Sequence, residues 1–323
     1  MSKATLGIDL GGTGVKTALV SEDRQVLAQE TRPTEADRGQ DVVIGNMAAS
    51  AEAVIAASGI SREDIVAAGV GAPGPLNRET GIVYSPPNLP AWKDVPLAAL
   101  MEEKLGVPCF LENDANAACY GEFWMGAGRG TETMCLLTLG TGVGGGVVTF
   151  GKLLRGLDGT AGEIGHMKVQ GDGGRLCGCG AKGCLESYGS VPGMVLTARE
   201  GLESGETSSL GELCGGDYDA LTGKMISDAA EAGDGFAHEV IEVTAGWLGV
   251  GISSLINVFN PEKVVLCGGM IAAGERLFEP LREAATSQAF DVPARRVEIV
   301  PGELGHDSGV LGCAGVALER SSG

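Results

Sequence analysis

Two short glycine-rich turns constrain this fold most, because each joins two apolar strands. The first turn, Gly11-Gly12-Thr13-Gly14, follows an apolar run over residues 4–10 and precedes a second run. In the other half of the chain, the run over residues 134–139 leads into Gly140-Thr141-Gly142 and then into another strand. A strand–turn–strand pattern that occurs once in each half predicts a duplicated fold, with both turns serving as phosphate loops.

Neither turn has the glycine spacing of a dinucleotide-binding fingerprint or a Walker loop. Both of those motifs open a helix immediately after the glycines, whereas strand patterns follow here. Glycines still allow backbone amides to crowd onto a phosphate group. Each turn taken alone is equally compatible with an ordinary hairpin.

The remaining periodicities predict alternating strands and helices without a low-complexity linker. Residues 201–223 are polar, acidic and glycine-rich, which predicts a variable loop. The predicted strands cover 15–20, 26–32, 65–71, 147–150, 263–267 and 297–300. The predicted helices cover 41–58, 97–105, 115–125, 237–259 and 308–318, with a further helical segment starting near 188.

Length, charge and cysteine content limit the classes of protein to which the chain can belong. A chain of 323 residues is long enough for two domains with substantial cores. A formal net charge of −19 argues against nucleic-acid or anionic-membrane partners. The N-terminus has no signal-peptide pattern, and no uninterrupted apolar stretch reaches the roughly 20 residues needed to span a bilayer. Nine mostly scattered cysteines predict reduced thiols in a cytoplasmic protein.

Asp114 stands where an apolar run ends and a helical pattern begins, within Glu112-Asn113-Asp114-Ala115-Asn116. One interpretation is a helix N-cap, for which aspartate is a preferred residue. The other is a general base, since a helix N-terminus favours the ionised carboxylate. The two interpretations are compatible.

Three cysteines depart from the scattered pattern. Cys177, Cys179 and Cys184 form a Cys-x-Cys-x4-Cys run, and His166 precedes them by eleven residues. Three thiolates and an imidazole are a familiar tetrahedral zinc set, which predicts a structural site without an open coordination position. Such a site would fix His166, Glu163 and Glu186 around one point. The alternative is a group of unligated, oxidisable thiols.

Proline brackets two loops before the Asp114 motif. Gly71-Ala72-Pro73-Gly74-Pro75 predicts a rigid loop, and Asn88 follows a pair of prolines. Polar residues held in this way lose little entropy on binding, which suits a ligand loop. They suit a plain surface turn equally well.

Taken together, these motifs resemble the ROK family of sugar kinases and repressors, and most closely its bacterial glucokinases. The resemblance spans nearly the whole chain. The motifs that carry it are Asp9-Leu10-Gly11-Gly12-Thr13, Gly71 to Pro75, Glu112 to Asn116, Leu139 to Gly146, Ala161-Gly162-Glu163-Ile164-Gly165-His166, the block Cys177-Gly178-Cys179-Gly180-Ala181-Lys182-Gly183-Cys184-Leu185-Glu186, and Gly268-Gly269.

The resemblance implies an α/β fold of the actin-like ATPase (ribonuclease H-like) class. It is a duplicated two-domain fold, and ATP and sugar are expected in the interdomain cleft. We expect a small α/β domain over residues 1–115 and about 305–323. We expect a large α/β domain over residues 116–304, which carries the zinc loop.

Roles for individual residues also follow from the resemblance. Asp114 would be the base that takes the proton of the sugar 6-hydroxyl, and Asp9 would organise Mg²⁺. His166 would bind zinc through one ring nitrogen and a sugar hydroxyl through the other. The implied sugar-binding residues are Gly74, Asn88, Asn113, Asp114, Glu163, His166 and Glu186. The implied nucleotide-binding residues are Asp9, Gly11, Gly12, Thr13, Lys16, Gly140, Thr141, Gly142, Gly268 and Gly269. The implied zinc ligands are His166, Cys177, Cys179 and Cys184.

The resemblance therefore predicts an ATP-dependent glucokinase with Mg²⁺ and structural Zn²⁺, forming a homodimer in the cytoplasm. Kinases for N-acetylmannosamine, fructose or allose are the alternatives within the family, and polyphosphate is an alternative donor. A sugar-responsive repressor would need an N-terminal DNA-binding domain, for which the first strand at about Ala4 leaves no room. Two positions depart from the family pattern, the segment 304–308 and Gly189.

Overall fold

The computed structural model describes residues 3–86, 88–89, 92–157 and 159–321. The chain divides into two compact units. The first contains Met1–Gly130, Leu153–Ala161 and Glu303–Gly323, and the second contains Thr131–Lys152 and Gly162–Gly302. The first boundary therefore falls at Gly130, beyond the position near 115 expected from the sequence. The reason is that helix α3 (Asp114–Trp124) packs against helix α11 (Ser308–Ser321) in the first unit.

The first unit is built on a five-stranded sheet in the order β3-β2-β1-β4-β7. Its strands are β1 (Ala4–Leu10), β2 (Gly14–Ser21), β3 (Val26–Pro33), β4 (Ile65–Ala72) and β7 (Cys109–Asn113), with a small hairpin of β5 (Leu76–Asn77) and β6 (Ile82–Val83). Its helices are α1 (Gln40–Ser58), α2 (Leu97–Leu105), α3 and α11.

Strand β1 packs helices against both of its faces. Leu6 and Ile8 enter a core cluster with Met47 of α1. Alternate residues point to α11, because a Cβ on Gly7 would lie 2.0 Å from the carbonyl oxygen of Val310. The period of two along a strand therefore places Asp9 on the α11 face, next to the helix start.

The second unit is built on a sheet in the order β10-β9-β8-β11-β12. Its strands are β8 (Met134–Leu139), β9 (Val143–Thr149), β10 (Lys152–Leu153), β11 (Lys263–Cys267) and β12 (Glu298–Pro301). Its helices are α4 (Glu186–Gly189), α5 (Val191–Glu203), α6 (Leu210–Leu213), α7 (Gly223–Glu231), α8 (Gly235–Phe259), α9 (Glu275–Gln288) and α10 (Asp291–Ala294).

The two sheets repeat one topology, which confirms the predicted duplication. In each, the first two strands pair antiparallel, and the first strand pairs in parallel with the fourth of that sheet. The fourth strand then pairs in parallel with the fifth. The glycine turns at 11–13 and 140–142 thus occupy equivalent places, between the first and second strands of their sheets.

Most predicted elements lie where the patterns indicated, and α2 agrees at both ends. Strand β9 begins at Val143, four residues before the predicted start, because its glycine-rich half still pairs with β8. The predicted loop over 201–223 is wrong in part, since it contains α6 and a short turn at Tyr218–Ala220. Leu210 of this region is fully buried, and that anchors α6.

Two helices, α1 and α8, are long and apolar enough to cross a membrane by length and composition, although no such segment was expected. Both are packed in the cores of their units. Val43 and Met47 of α1 are fully buried, as are Leu248 and Ile252 of α8. A buried core helix of a globular domain meets the same test.

Candidate active site and metal centre

The junction of β7 and α3 is capped by Asn113. Its side-chain oxygen accepts hydrogen bonds from the backbone N–H groups of Ala115 (3.0 Å) and Asn116 (3.2 Å). Asp114 is the first residue of the helix, so the N-cap interpretation of Asp114 is wrong. The cap belongs to its neighbour, because Asn113 has the extended backbone that an N-cap requires.

Capping also fixes the orientation of the Asn113 amide. Since Oδ1 accepts from the helix, Nδ2 is left as the outward-facing donor. Nδ2 lies 3.7 Å from where a Cβ on Gly74 would stand, so the loop that carries Gly74 runs past it. Two predicted sugar-binding residues are thus adjacent.

Asp114 combines an open side chain with an unusual environment. Oδ1 accepts a hydrogen bond from the N–H of Ala115 at 2.8 Å, and the side chain is exposed. Desolvation by the surrounding protein raises the pKa of Asp114. Hydrogen bonds from the N–H of Ala115 and from the side chain of Asn113 act in the opposite direction. A carboxylate with a raised pKa is a stronger proton acceptor, as a general base requires.

Asp9 lies half-buried near the end of β1. Its register partner in β2 is Lys16. Backbone crowds the carboxylate, because a Cβ on Gly71 or Gly309 would stand 3.4 or 2.6 Å from its oxygens. Burial and the charge of Asp114 raise the pKa of Asp9 to about 6, against a smaller lowering effect of Lys16. Asp9 and Asp114 therefore form one electrostatic site.

The first glycine turn is closed by its own backbone. The N–H of Gly11 donates to the carbonyl of Gly14 at 3.0 Å, and the hydroxyl of Thr34 donates to the carbonyl of Gly11 at 2.6 Å. A Cβ on Gly12 would stand 3.5 Å from Cβ of Asn88, so this predicted sugar-binding residue lies beside the turn. Thr13 is exposed at the tip of the turn.

Lys16 reaches away from the glycine turn. Its ammonium group donates to the carbonyl of His306 at 2.6 Å and to Oδ1 of Asp307 at 3.2 Å. The predicted nucleotide-binding lysine is thus held by the 304–308 segment that departs from the family pattern.

The second glycine turn lies against Glu186. The N–H of Gly140 donates to the carbonyl of Gly142 at 3.0 Å, which closes the turn around Thr141. Oε2 of Glu186 accepts from the N–H of Val143 at 3.0 Å, and a Cβ on Gly142 would stand 2.5 Å from the same oxygen. The turn must therefore be glycine at 142 if Glu186 is to keep this position.

A cavity of about 480 Å³ opens next to Gly269 in the second unit. This volume lies within the range of about 300–1,000 Å³ that is common for small-molecule sites. Its lining is apolar on most sides, with Lys224, Ser227, Asp228 and Glu231 of α7 as polar groups. The apolar lining includes Val191, Met194, Ile241, Met270 and Leu277.

The four predicted metal ligands converge. The ligand atoms of His166, Cys177, Cys179 and Cys184 all lie within 4.8 Å of one another. Nδ1 of His166 is 3.7 Å from Sγ of Cys177, and the sulfurs of Cys179 and Cys184 are also 3.7 Å apart. Sulfur and nitrogen ligands at about 2.3 and 2.0 Å from a tetrahedral ion lie roughly 3.5–3.8 Å apart, so these two pairs stand at the distances that zinc ligation requires.

The loop over residues 166–184 carries the four predicted metal ligands and is called the metal loop below. It is folded by isolated backbone pairing rather than by helices or strands. Isolated bridges join Lys168 to Cys184 and Leu176 to Lys182. Gly183 has φ of +77°, and a Cβ there would stand 1.9 Å from the carbonyl oxygen of Gln170, so only glycine fits. The ammonium of Lys168 donates to Sγ of Cys184 at 2.9 Å, which ties the start of the loop to its last cysteine.

Two predicted sugar-binding carboxylates, those of Glu163 and Glu186, lie next to this loop. Nε2 of His166 lies 4.0 Å from Oε2 of Glu163, on the side of the ring opposite the nitrogen that faces Cys177. Oε1 of Glu186 lies 3.5 Å from Sγ of Cys177. His166, Glu163 and Glu186 are therefore gathered at the metal cluster, as the sequence predicted.

The predicted residues divide between the two units, and their roles stay predictions. The first unit holds Asp9, Gly11, Gly12, Thr13, Lys16, Gly74, Asn88, Asn113 and Asp114. The second unit holds Gly140, Thr141, Gly142, Glu163, His166, Cys177, Cys179, Cys184, Glu186, Gly268 and Gly269.

Sequence reasoning missed three charged residues next to the β7–α3 junction. Glu112 is buried beneath Asn113, and Arg155 and Arg78 face its carboxylate at 2.9 and 3.8 Å. A glutamate inside a buried strand is a signal that could have been read, because buried carboxylates need partners. Nothing in the local sequence identifies the arginines.

Comparison with known proteins agrees with the motifs. The profile of the ROK family matches residues 5–320. The chain belongs to the ROK family. A glucokinase from Thermotoga maritima is 41% identical over 318 residues, which are 98% of each chain.

Two solved ROK structures are similar throughout. A ROK hexokinase from Thermus thermophilus has a TM-score of 0.84 at 31% identity, covering 99% of this chain and 100% of that one. A ROK family glucokinase from Streptomyces griseus, in complex with glucose and AMPPNP, has a TM-score of 0.77 at 33% identity, covering 98% and 99%. The predicted actin-like, two-domain α/β fold of a ROK sugar kinase is thereby confirmed.

Proposed function

We propose that this ROK protein transfers the γ-phosphoryl group of ATP to the 6-hydroxyl of glucose. The observation that carries the proposal is the β7–α3 junction. There an open carboxylate with a raised pKa stands beside an amide donor whose orientation is fixed by the helix cap. Relatives named glucokinase, at 41 and 39% identity, support glucose as the acceptor.

Asp114 is the general base in this proposal. Its carboxylate takes the proton of the 6-hydroxyl while the hydroxyl oxygen forms a bond to the γ-phosphorus. The bond between that phosphorus and the bridging oxygen breaks, and ADP leaves with the electron pair. Phosphoryl transfer needs positioning and charge neutralisation more than covalent chemistry, so a placed carboxylate suffices as the base.

The other sugar hydroxyls bind to fixed donors and acceptors. In the first unit, Asn113 donates through Nδ2, with Gly74 beside it, and Asn88 contributes from beside the first glycine turn. In the second unit, Glu163 and Glu186 accept, and His166 contributes Nε2. A set that contains both donors and acceptors suits a sugar, because each sugar hydroxyl can both donate and accept a hydrogen bond.

ATP is the proposed donor. The glycine turns at 11–13 and 140–142 bind phosphate through backbone N–H groups, which a protein of net charge −19 needs in place of a basic surface. The adenosine occupies the cavity lined by Gly269, the residue after Gly268. Asp9 would hold the Mg²⁺ that accompanies ATP, and that ion would supply neutralisation of the phosphate charge.

Zinc completes the proposed cofactors. His166, Cys177, Cys179 and Cys184 would hold it as a complete set of four ligands, so its part would be structural. Nδ1 of His166 faces Cys177, so ligation through this nitrogen would leave Nε2 for a sugar hydroxyl and would fix the tautomer. We also propose, from the family resemblance, a cytoplasmic homodimer.

The test is product formation. Incubation with glucose and Mg-ATP should yield glucose 6-phosphate, measured by coupling to glucose-6-phosphate dehydrogenase, which does not accept other positional isomers. Inorganic polyphosphate in place of ATP should give little product. Absence of glucose 6-phosphate with ATP, in zinc-replete protein, would overturn the proposal.

A further inference from the structure

Glu112 is a buried carboxylate that the proposed chemistry does not use. It is 1% exposed and stands two residues before Asp114. Oε1 accepts from the backbone N–H of Asn113 at 3.1 Å and from Nδ2 of Asn116 at 3.3 Å. Both donors belong to the turn that starts α3. Glu112 therefore holds the backbone from which Asn113 and Asp114 project.

The second oxygen of Glu112 is bound by Arg155. Nε of Arg155 donates to Oε2 at 2.9 Å, and its NH2 group donates to Glu319 at 3.1 Å. Arg78 faces the same oxygen from 3.8 Å, a distance too long for a hydrogen bond. Arg155 is thus the direct partner that compensates the buried charge.

Arg155 comes from an unusual part of the chain. The segment Leu153–Ala161 belongs to the first unit, although the chain before and after it belongs to the second. The N–H of Ala161 donates to the carbonyl of Arg155 at 3.0 Å, which closes the segment into a loop. Gly159 abuts the Arg78 side chain, whose carbons lie 3.4 Å from where a Cβ would stand.

We infer that Glu112 and Arg155 form a positioning pair for the phosphoryl transfer. Arg155 neutralises and orients Glu112, and Glu112 fixes the strand end that aims the Asn113 amide and the Asp114 carboxylate. The inference rests on the proposed function, because it assigns the pair to the same reaction.

Loss of Arg155 leaves a buried carboxylate without its hydrogen-bonded partner. Glu112 would then move toward water or toward Arg78 and release the N–H of Asn113. A base displaced by about 1 Å can lose about 100-fold in rate. The effect should fall on kcat, because the cavity assigned to adenosine lies in the second unit and touches neither residue.

The test compares Arg155→Met, Glu112→Gln and the double variant in the ATP–glucose assay. Arg155→Met should lower kcat about 10- to 100-fold with little change in KM for ATP. The double variant should recover much of the lost kcat, since a neutral amide needs no cationic partner and can still accept from Asn113. Arg129→Met, which breaks an exposed pair with Glu303, is the matched control and should leave kcat unchanged.

Arg155→Lys keeps the positive charge, so it should fold like the wild type. It cannot bond Glu112 and Glu319 through separate guanidinium nitrogens, so it should retain only an intermediate kcat. The Arg155→Lys variant provides the measurement if Arg155→Met does not fold. Wild-type kcat in both Arg155 variants would overturn the inference alone. Equal losses in kcat, ATP binding and melting temperature, without recovery in the double variant, would also overturn it. A wild-type enzyme without sugar turnover would instead overturn the proposed function.

Discussion

Asn113 and Asp114 divide two tasks between adjacent side chains. Asn113 satisfies the helix amides of Ala115 and Asn116, so the Asp114 carboxylate is not needed as the cap and stays exposed. A cap stabilises a helix start by about 1 kcal/mol, whereas a base must stay available to the substrate. The separation allows both requirements to be met within one turn.

Substitution of Asp114 by Asn tests the base directly. The amide oxygen can still accept from Ala115, so α3 should stay intact, but no proton acceptor remains. We expect kcat to fall about 10²- to 10⁴-fold, with glucose affinity by calorimetry little changed. Asp41→Asn, at the exposed first turn of α1, is the matched control. Undiminished turnover in Asp114→Asn would refute the assignment.

Asp9→Asn should stabilise the protein in neutral, magnesium-free buffer. The pKa of Asp9 is raised from 3.8 to about 6 in the folded state, chiefly by burial and then by Asp114. The ionised group therefore costs the fold about 3 kcal/mol above pH 6, and this cost disappears as pH falls toward 4. The melting temperature of Asp9→Asn should exceed that of the wild type at pH 8.

The same comparison at pH 5 gives the check on its cause. The advantage of Asp9→Asn should shrink between pH 8 and pH 5, because the wild-type carboxyl becomes protonated over that interval. Asp23→Asn, on the exposed turn after β2, should show no such dependence. An advantage that is constant with pH would show that burial of the Asp9 charge is not its origin.

At the scale of elements, the metal loop depends on its ligands more than on its secondary structure. Only isolated bridges and turns fold it within the described chain, so a bound ion is the natural source of its rigidity. Cys179→Ser should release zinc, measured by atomic emission, and lower the melting temperature. Cys214→Ser, outside the cluster, should keep full zinc occupancy. A zinc-free Cys179→Ser protein of wild-type stability would contradict a structural zinc.

Gly268 and Gly269 are adjacent glycines with different surroundings, so their alanine variants can be compared directly. Gly268 has φ of +96°, and a Cβ there would stand 2.3 Å from the carbonyl oxygen of Leu139, just before the second glycine turn. Gly269 faces open space at the cavity. Gly268→Ala should lower the melting temperature by several degrees, whereas Gly269→Ala should keep it and raise KM for ATP. Equal stability of the two variants would contradict this division.

The elements that the sequence predicted well are those with local signals. Strand β8 and helix α2 are marked by apolar periodicity, and α1 ends at Ser58 as predicted, with Gly59 in the left-handed conformation at its C-cap. The convergence of His166, Cys177, Cys179 and Cys184 could be predicted because their short spacing along one loop is a local signal. The Glu112–Arg155 pair joins residues 43 apart, and no local pattern records such a contact. The cap at Asn113 was missed because Asn and Asp are both good caps.

At the scale of the whole molecule, duplication explains why function is spread along the chain. Each sheet supplies one glycine turn at the same place in its topology. Sequence patterns could reveal that repeat because both turns follow an apolar strand. They could not reveal that residues 153–161 rejoin the first unit, since that depends on ion pairs with Glu112 and Glu319 formed only in the folded chain.

The measurement that tests the account most directly is kcat/KM with Mg-ATP across glucose, mannose, fructose, allose and N-acetylmannosamine. We predict that glucose exceeds each of the others by at least about tenfold, a difference of about 1.4 kcal/mol in transition-state binding. A higher value for N-acetylmannosamine or fructose would contradict glucose as the substrate while keeping a ROK kinase. No turnover with any sugar would contradict the kinase itself.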